Sequence, residues 1–535
     1  MQSQRPQDHA TVLSSPIWSM LKPNVASLGY GLFLAINAAS VWGSVFPFLP
    51  LVFQTSQIVF WFFLSQSLVF SASFFASMLG SYFFPRATRA FLVQLTTAPY
   101  LLGWCALISA IYVHEFALLL VILGGALLGL GSAGFYMLWQ RLFASMSSET
   151  GDHNLIRGTV YGAIFYFSLY LIPVAVTAFL IPLVFLPLFA LAIVLKSRTI
   201  NFNQPMFEDV PREHPQVYRR VIKDYWRSAL CVGSLGFCTG IMRALAIGNP
   251  SVGSLVNALS MGATLLAALV LLFVWRRKDL HMTVVSAFRT FFPFVITSFM
   301  LLPFLPSEYE RWLAAVLYAV YSVAIMVMMI QCAQASRNRG INPVFIYGFF
   351  GCIVYVLHDI GFLGGTLAET IRVTGIAPLA VVALVAMYLL GLMYFVGQGG
   401  FKRIFSQNSW SPTSDNPLGE RAASIELVAL SPKPEYDKDR ETKRHKNGDA
   451  AVIYQDRMSK QAALVQRHYR LSARETEVME LIARGNTVSR IAEELVVSEN
   501  TIRTHSKRIY AKLGIHKKQE LLDLIDSFDP AELQD

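Results

Sequence analysis

The chain has 535 residues, 54% of them hydrophobic and 15% charged, with a formal net charge of +10. A soluble domain carries roughly 25% charge, so this composition excludes a large soluble enzyme and calls for a membrane. The positive balance does not by itself name nucleic acid as a partner, because cytoplasmic loops of membrane proteins also accumulate Lys and Arg.

Residues 1–27 are polar as far as Lys22 and have no apolar core ahead of a small-residue cleavage site, so they read as a cytoplasmic N-terminus without a cleavable signal. Residues 28–397 follow as a transmembrane domain. Apolar stretches long enough to span about 30 Å of hydrocarbon recur throughout it. They are 28–50, 58–80, 91–112, 116–138, 158–178, 179–195, 227–248, 254–275, 288–306, 312–332, 343–363 and 376–397. The block 158–195 is split in two, because it carries Pro173, Pro182 and Pro187 and is too long for one span. Cys105, Cys231, Cys238, Cys332 and Cys352 all lie in apolar stretches without metal-ligand spacing and read as small buried hydrophobes.

Charges between the spans test the segmentation. Basic residues fall in alternate loops: Arg86 and Arg89; Arg141 and Arg157; Lys196, Arg198, Arg212, Arg219, Arg220, Lys223 and Arg227 around a long loop 196–226; Arg276, Arg277 and Lys278; Arg337 and Arg339; Lys402 and Arg403. The other loops hold His114 and Glu115, then Glu308, Glu310 and Arg311, then Glu369 and Arg372. The positive-inside rule then places both termini in the cytoplasm and requires an even number of spans.

Six spans, a long charged loop and six more spans resemble the major facilitator superfamily, whose two six-helix halves surround a central cavity. That family's signature between the second and third spans is a Gly, an Asp and clustered basic residues. Here Gly80, Arg86 and Arg89 stand without the Asp, and the second half has Trp275, Arg276, Arg277, Lys278 and Asp279.

Ionisable residues inside spans are functional candidates. Arg243 lies late in the seventh span, and His358 and Asp359 lie late in the eleventh, at similar depth near the outer face. They read either as a ligand pocket opening outward or as a structural ion pair. Asn37, Gln66 and Gln140 either line a cavity or bond neighbouring helices.

Composition shifts after Val396. Residues 398–451, rich in Gly, Ser, Pro and mixed charge, read as a flexible cytoplasmic linker, and 452–469 as a possible lead-in helix. Residues 470–530 form a small helical domain. Ser472 and Glu475 have capping-box spacing, followed by Val478, Leu481 and Ile482 on one face and Gly485 as a stop. Thr487 caps a short second helix with Ile491, Ala492 and Leu495 inward, and Val496 and Val497 make the turn. Ser498 caps a third helix, which runs to Leu513 and stops at Gly514. A fourth runs from about Lys518 to Ile525. This is a helix-turn-helix pattern. In the third helix Ile502, Ile509 and Leu513 face inward, while Asn500, Arg503, Thr504, Lys507 and Arg508 face out with donors that reach base edges and phosphates.

The run from Leu471 to Val478, the pair Ile491 and Ala492, the run from Ser498 to His505 and the run from Ile509 to Gly514 closely resemble the LuxR/GerE family of DNA-binding domains. The resemblance implies base-reading positions for Arg503, Thr504 and Lys507. It implies backbone-contacting or neighbouring positions for Thr501, His505, Arg508 and Lys512, with Asn500 alongside. It also implies dimerisation through the fourth helix. Val488 and Arg490 depart from the family's usual Asn and Glu, and Lys518 stands where Arg is common.

The expected fold is all-α: a polytopic bundle of about twelve transmembrane helices with a four-helix LuxR-type domain at its end. No phosphate-binding Gly loop, metal cluster or nucleophile–base pair is visible, so no catalytic residue, cofactor or metal is expected. The expected function is that of a membrane-bound transcriptional regulator in a bacterial inner membrane. Its expected partners are double-stranded DNA, the bilayer, a second copy through the helix-turn-helix domain and an unidentified small-molecule ligand. The alternative is a solute transporter of the major facilitator type with a regulatory appendage.

Overall fold

The computed structural model describes residues 20–41, 55–146, 148–169, 171–173, 176, 180–200, 205–208, 211–213, 215–247, 250–277, 280–282, 284–301, 307–372, 378–397, 425–427, 457–484, 488, 491–492, 495, 497–516 and 518–528. Within the membrane part lie α1 (Val25–Ile36), α2 (Ser56–Phe83), α3 (Pro85–Tyr112), α4 (Ala117–Ser145), α5 (Ser148–Leu169) and α6 (Leu186–Ser197). The second half holds α7 (Pro215–Ile247), α8 (Pro250–Arg277), α9 (Val284–Leu301), α10 (Ser307–Arg339), α11 (Pro343–Arg372) and α12 (Pro378–Gly397). Six of these helices are long and apolar enough to cross a membrane, and four shorter apolar helices accompany them. The protein is a multi-pass membrane protein. Phe91, Leu95, Leu266 and Leu384 are among many large apolar side chains left on the outer surface, where lipid replaces water.

Helix pairing shows two related halves. In the first, α1 packs on α5 and α6, and α4 packs on α2 and α3; in the second, α7 packs on α11 and α12, and α10 packs on α8 and α9. Advancing each partner by six helices converts one set into the other. The halves meet most extensively through α2 with α11 and α5 with α8, a pair of contacts that exchange under the same shift. This is the six-plus-six organisation expected from the sequence, with the parallel internal repeat of such bundles.

Several boundaries differ from the hydropathy reading. α5 begins at Ser148 rather than 158, and α7 at Pro215 rather than 227, so the central loop is shorter than 196–226. Arg141, Arg157 and Arg337, expected in loops, belong to α4, α5 and α10 and are buried. Hydropathy registers the hydrocarbon-crossing part of a helix, not the polar turns that continue beyond it. Those turns are held by specific bonds: Asn24 donates to Asn154 Oδ1 at 2.6 Å, and Gln334 donates to Asp152 Oδ2 at 2.7 Å. α1 starts in a reciprocal cap between Asn24 and Ser27, then widens into a π-helical turn over Asn37–Val41. A second π-helical turn, Ile181–Phe185, leads into α6 with Pro182 and Pro187 in its opening turns.

Most of the expected linker lies outside the described residues, but the expectation fails at its centre. There β2 (Ile425–Leu427) pairs antiparallel with β1 (Leu280–Met282), and Ile425 is fully buried in the bundle's core. A mainly apolar stretch from Ile425 to Leu430, broken only by Glu426, interrupts the polar composition, and burying Ile425 anchors the chain between the two domains.

The C-terminal domain has its own core. Its helices are α13 (Arg457–Tyr469), α14 (Ala473–Ala483), α15 (Glu499–Leu513) and α16 (Lys518–Asp526). Met458, Ala462 and Val465 of α13 share one buried cluster with Val478, Ile491, Ile502, Ile509 and Ile525. The lead-in segment therefore belongs to this domain, and Gln461 ties it to the far end by donating to the Phe528 carbonyl at 2.9 Å.

Candidate nucleic-acid interface and bundle cavity

α14 begins as the sequence spacing requires. The Ser472 hydroxyl accepts from the Glu475 amide at 3.2 Å, and Glu475 Oε2 accepts from the Ser472 amide at 2.8 Å. Gly485, Thr487, Arg490 and Val496 lie outside the described residues, but Ile491 and Ala492 are buried, as expected for the inner face of a second helix. Ser498 caps α15, and Gly514 ends it in the left-handed conformation with φ of 67°.

Ile502, Ile509 and Leu513 turn into the core, which leaves the opposite face of α15 outward. Asn500, Arg503, Thr504, Lys507 and Arg508 are all exposed there. Arg503 folds back on Glu499 at 3.0 Å, and Thr504 donates to the Asn500 carbonyl at 2.8 Å. Both contacts sit on the surface and are exchangeable for a nucleic acid at small cost. Thr501 and His505 are half-buried at the edges of this face. Lys512 is already engaged: its Nζ lies 2.6 Å from Glu475 Oε2. Lys512 and the Ser472 amide together hold the buried Glu475 carboxyl down at about 2, so it stays ionised and keeps α14 joined to α15.

In the bundle, a cavity of about 170 Å³ lies between the halves. Five tyrosines line it (Tyr30, Tyr136, Tyr318, Tyr321 and Tyr355), together with Met261, Met326 and Met329. Arg243, His358 and Asn37 supply polar groups. The Asn37 side chain sits where α1 widens, donating to the Phe33 carbonyl at 2.8 Å and accepting from Ser132 at 3.1 Å. The Arg243 guanidinium stacks over the Phe63 ring, 4.0 Å from its centroid. α7 reaches α11 closely because residue 240 is glycine: a Cβ there would lie 2.1 Å from the His358 carbonyl oxygen.

Of the three ionisable residues singled out from the sequence, Arg243 and His358 line this cavity and Asp359 does not. Neighbouring residues on a helix diverge by about 100°. Asp359 instead accepts hydrogen bonds from Ser67 and from Ser71, the latter at 2.5 Å, and so ties α11 to α2. His358 lies mid-way along α11 rather than late in it, because that helix continues past residue 363 to Arg372. Gln140 donates across the halves to the Met329 carbonyl at 3.0 Å, the helix-bonding role.

A second buried network, which no local pattern in the chain announces, lies at the end of the bundle that carries the basic residues. Arg337 Nη2 lies 2.5 Å from Asp152 Oδ1, and its Nη1 donates to the Phe143 carbonyl at 2.9 Å. Asp152 is fully buried and joins α5 of the first half to α10 of the second. Among the described residues no group of three or more His, Cys, Asp or Glu is placed to hold a metal.

Residues 469–525 match the family described as bacterial regulatory proteins, luxR family. The C-terminal domain is a LuxR-type helix-turn-helix domain. A probable transcriptional regulatory protein, NarL of Mycobacterium tuberculosis, is 51% identical over 45 residues, 8% of this chain and 21% of that relative. The chain spans about a quarter of the length of the curated relatives it matches. The bundle is similar to a bacterial homologue of the iron transporter ferroportin in an outward-facing state, at 15% identity, covering 70% of this chain and 98% of that one, with a TM-score of 0.49. It is also similar to FucP, a major facilitator superfamily transporter in the outward conformation, at 11% identity over 71% of this chain and 99% of that one, with a TM-score of 0.46.

The LuxR-type domain is seated on the basic end of the bundle through α16 and α13. Arg220 of α7 pairs with Asp523 of α16. Around that pair Val217, Val221 and Arg339 of the bundle meet Met458 and Leu522 of the LuxR-type domain. Gly340, just after α10, has φ of 62° and lies so near α14 that a Cβ would stand 2.0 Å from the Arg484 carbonyl oxygen. Residues 337–340 thus touch three partners in succession: Arg337 meets Asp152, Arg339 meets Asp224 at 3.2 Å, and Gly340 meets the LuxR-type domain.

Proposed function

We propose that this protein is a membrane-bound transcriptional regulator of the one-component kind, which binds a ligand in the bundle and double-stranded DNA through α15. One observation carries the reading. The outward face of α15 presents Asn500, Arg503, Thr504, Lys507 and Arg508 to solvent, on a LuxR-type domain whose α16 rests against the membrane bundle. Arg503, Thr504 and Lys507 read base edges in the major groove; Asn500, Thr501, His505 and Arg508 contact the backbone. Lys512 serves the domain's own fold first, through Glu475. The basic end of the bundle faces the cytoplasm of a bacterial inner membrane, which puts α15 in the compartment of the chromosome.

The resemblance makes α16 the dimerisation element, and the seated domain turns part of α16 toward Val217, Arg220 and Val221. Seating and dimerisation therefore compete for one surface. The ligand is small, mainly apolar and aromatic, with one acidic or acceptor group for Arg243, in keeping with the tyrosine and methionine walls. It acts by favouring one packing of the two halves, and it shifts the equilibrium only as far as its affinities for the two packings differ. Residues 337–340 carry that packing to the LuxR-type domain.

The test is DNA selection from a random pool with the full chain in nanodiscs, followed by affinity measurements at several salt concentrations. Recovery of a two-half-site sequence, with affinity falling as salt rises, supports the reading. Absence of selective binding by both the full chain and residues 452–535 removes it.

A further inference from the structure

We propose that the basic end of the first half holds a structural site for the phosphate headgroup of an anionic phospholipid. An open cavity of about 620 Å³ lies there, lined by Arg86, Arg89, Arg141, Ser197 and Arg198 along with Ala90 and Val93. Four of its seven lining residues are arginines and none is acidic. The arginines come from three helices that are distant in sequence: the opening turns of α3, the end of α4, and the residues closing α6.

The site is built rather than incidental. Arg141 is 3% exposed and donates to the Arg89 carbonyl at 3.4 Å, so its charge is fixed in the wall. Arg86, Arg89 and Arg198 are exposed around it. Guanidinium groups gathered this way repel one another, and a phosphate that accepts planar two-point hydrogen bonds relieves the repulsion. The α3 helix begins at Pro85, so the positive end of its dipole adds to the attraction.

A lipid is favoured over a soluble phosphate by what lies beside the arginines. Phe91 and Leu95 of α3, and Val194 and Leu195 of α6, are exposed along the same two helices toward the membrane. Acyl chains on these apolar rows would place a headgroup at the level of the arginines, as in basic pockets between transmembrane helices. The proposal does not depend on DNA binding or on the central cavity.

The experiment uses the purified full chain in nanodiscs of phosphatidylcholine, of phosphatidylcholine with cardiolipin, and of phosphatidylcholine with millimolar inorganic phosphate. Retained lipid is counted by native mass spectrometry, and the thermal midpoint is followed. Wild-type protein is expected to retain cardiolipin and to gain thermal stability from it, while phosphate alone gives no gain. The double variant R86Q/R198Q is expected to bind cardiolipin about tenfold or more weakly. The control R219Q/K223Q removes the same charge from exposed positions on α7 and is expected to bind like wild type. If R86Q/R198Q folds poorly in phosphatidylcholine, R198Q alone is expected to show a smaller loss in the same direction. Equal retention by R86Q/R198Q and wild type, equal loss in the control, or full protection by phosphate without anionic lipid would each overturn the proposal.

Discussion

Arg220, near the start of α7, forms an ion pair with Asp523 on α16, so a charge on the membrane bundle is directly joined to a charge on the LuxR-type domain. Their side chains are 34% and 50% exposed, which limits the pair to about 0–1 kcal/mol. Its value is in register: it seats Leu522 and Met458 against Val217 and Val221. Charge reversal at either residue alone should loosen the seated domain, and R220D/D523R should restore it. Energy transfer between dyes on the bundle and on the domain reports both outcomes. Unchanged transfer in R220D would show that the apolar contacts suffice.

Gly340 is a sharper lever. Its left-handed backbone disfavours any side chain, and a Cβ would collide with the Arg484 carbonyl. G340A should push the LuxR-type domain off the bundle while leaving the fold of each part intact. In a reporter strain this should shift expression of a target promoter in the same direction as saturating ligand. A reporter at its wild-type level would detach seating from regulation.

Glu475 gives a pH dependence with a definite sign. Its carboxyl is held at about 2, below its ordinary value of 4.5, so the stabilisation it supplies is complete above about pH 4.5 and is lost as pH falls toward 2. E475Q should lower the domain's denaturation midpoint at neutral pH and flatten its acid limb. K512M should do the same less strongly, because the Ser472 amide still bonds the carboxylate. Hydrogen exchange at α14 and α15 would reveal it.

On α15, R503A or K507A should each weaken binding to the selected DNA by roughly 1–3 kcal/mol if the side chain reads a base. R508A should weaken all sequences alike and lower the salt slope by about one. Equal losses on specific and random DNA for R503A would move Arg503 from the bases to the phosphates.

Asp152 and Arg337 are buried together, and removing one leaves the other charged in a low-dielectric setting. D152N should cost about 3–5 kcal/mol, seen as a fall in the thermal midpoint of the full chain. D152N/R337M should recover much of the loss. A midpoint for D152N equal to wild type would mean that water reaches the site.

Much was legible in the residues themselves. Ser472 with Glu475, Ser498 with Thr501, and Gly514 are local signals whose partners lie within a few positions, so spacing alone places α14 and α15. Ile502, Ile509 and Leu513 repeat at the helical period, so the outward face of Arg503 and Lys507 follows from geometry. The apolar lengths and alternating basic loops gave the bundle its helix count. Hydropathy erred at α5 and α7, where polar turns survive by bonding partners more than a hundred residues away, as Asp152 does with Gln334 and Arg337.

Sequence by itself determined the membrane bundle and the helix-turn-helix, because burial period, capping and hydrocarbon length act locally along the chain. Only the tertiary structure decided that His358 faces a cavity while Asp359 turns to Ser67 and Ser71, that four arginines from three helices share one cavity, and that α16 lies against Arg220. Each of these depends on how helices are rotated and crossed by long-range packing, and no local spacing in the chain records that.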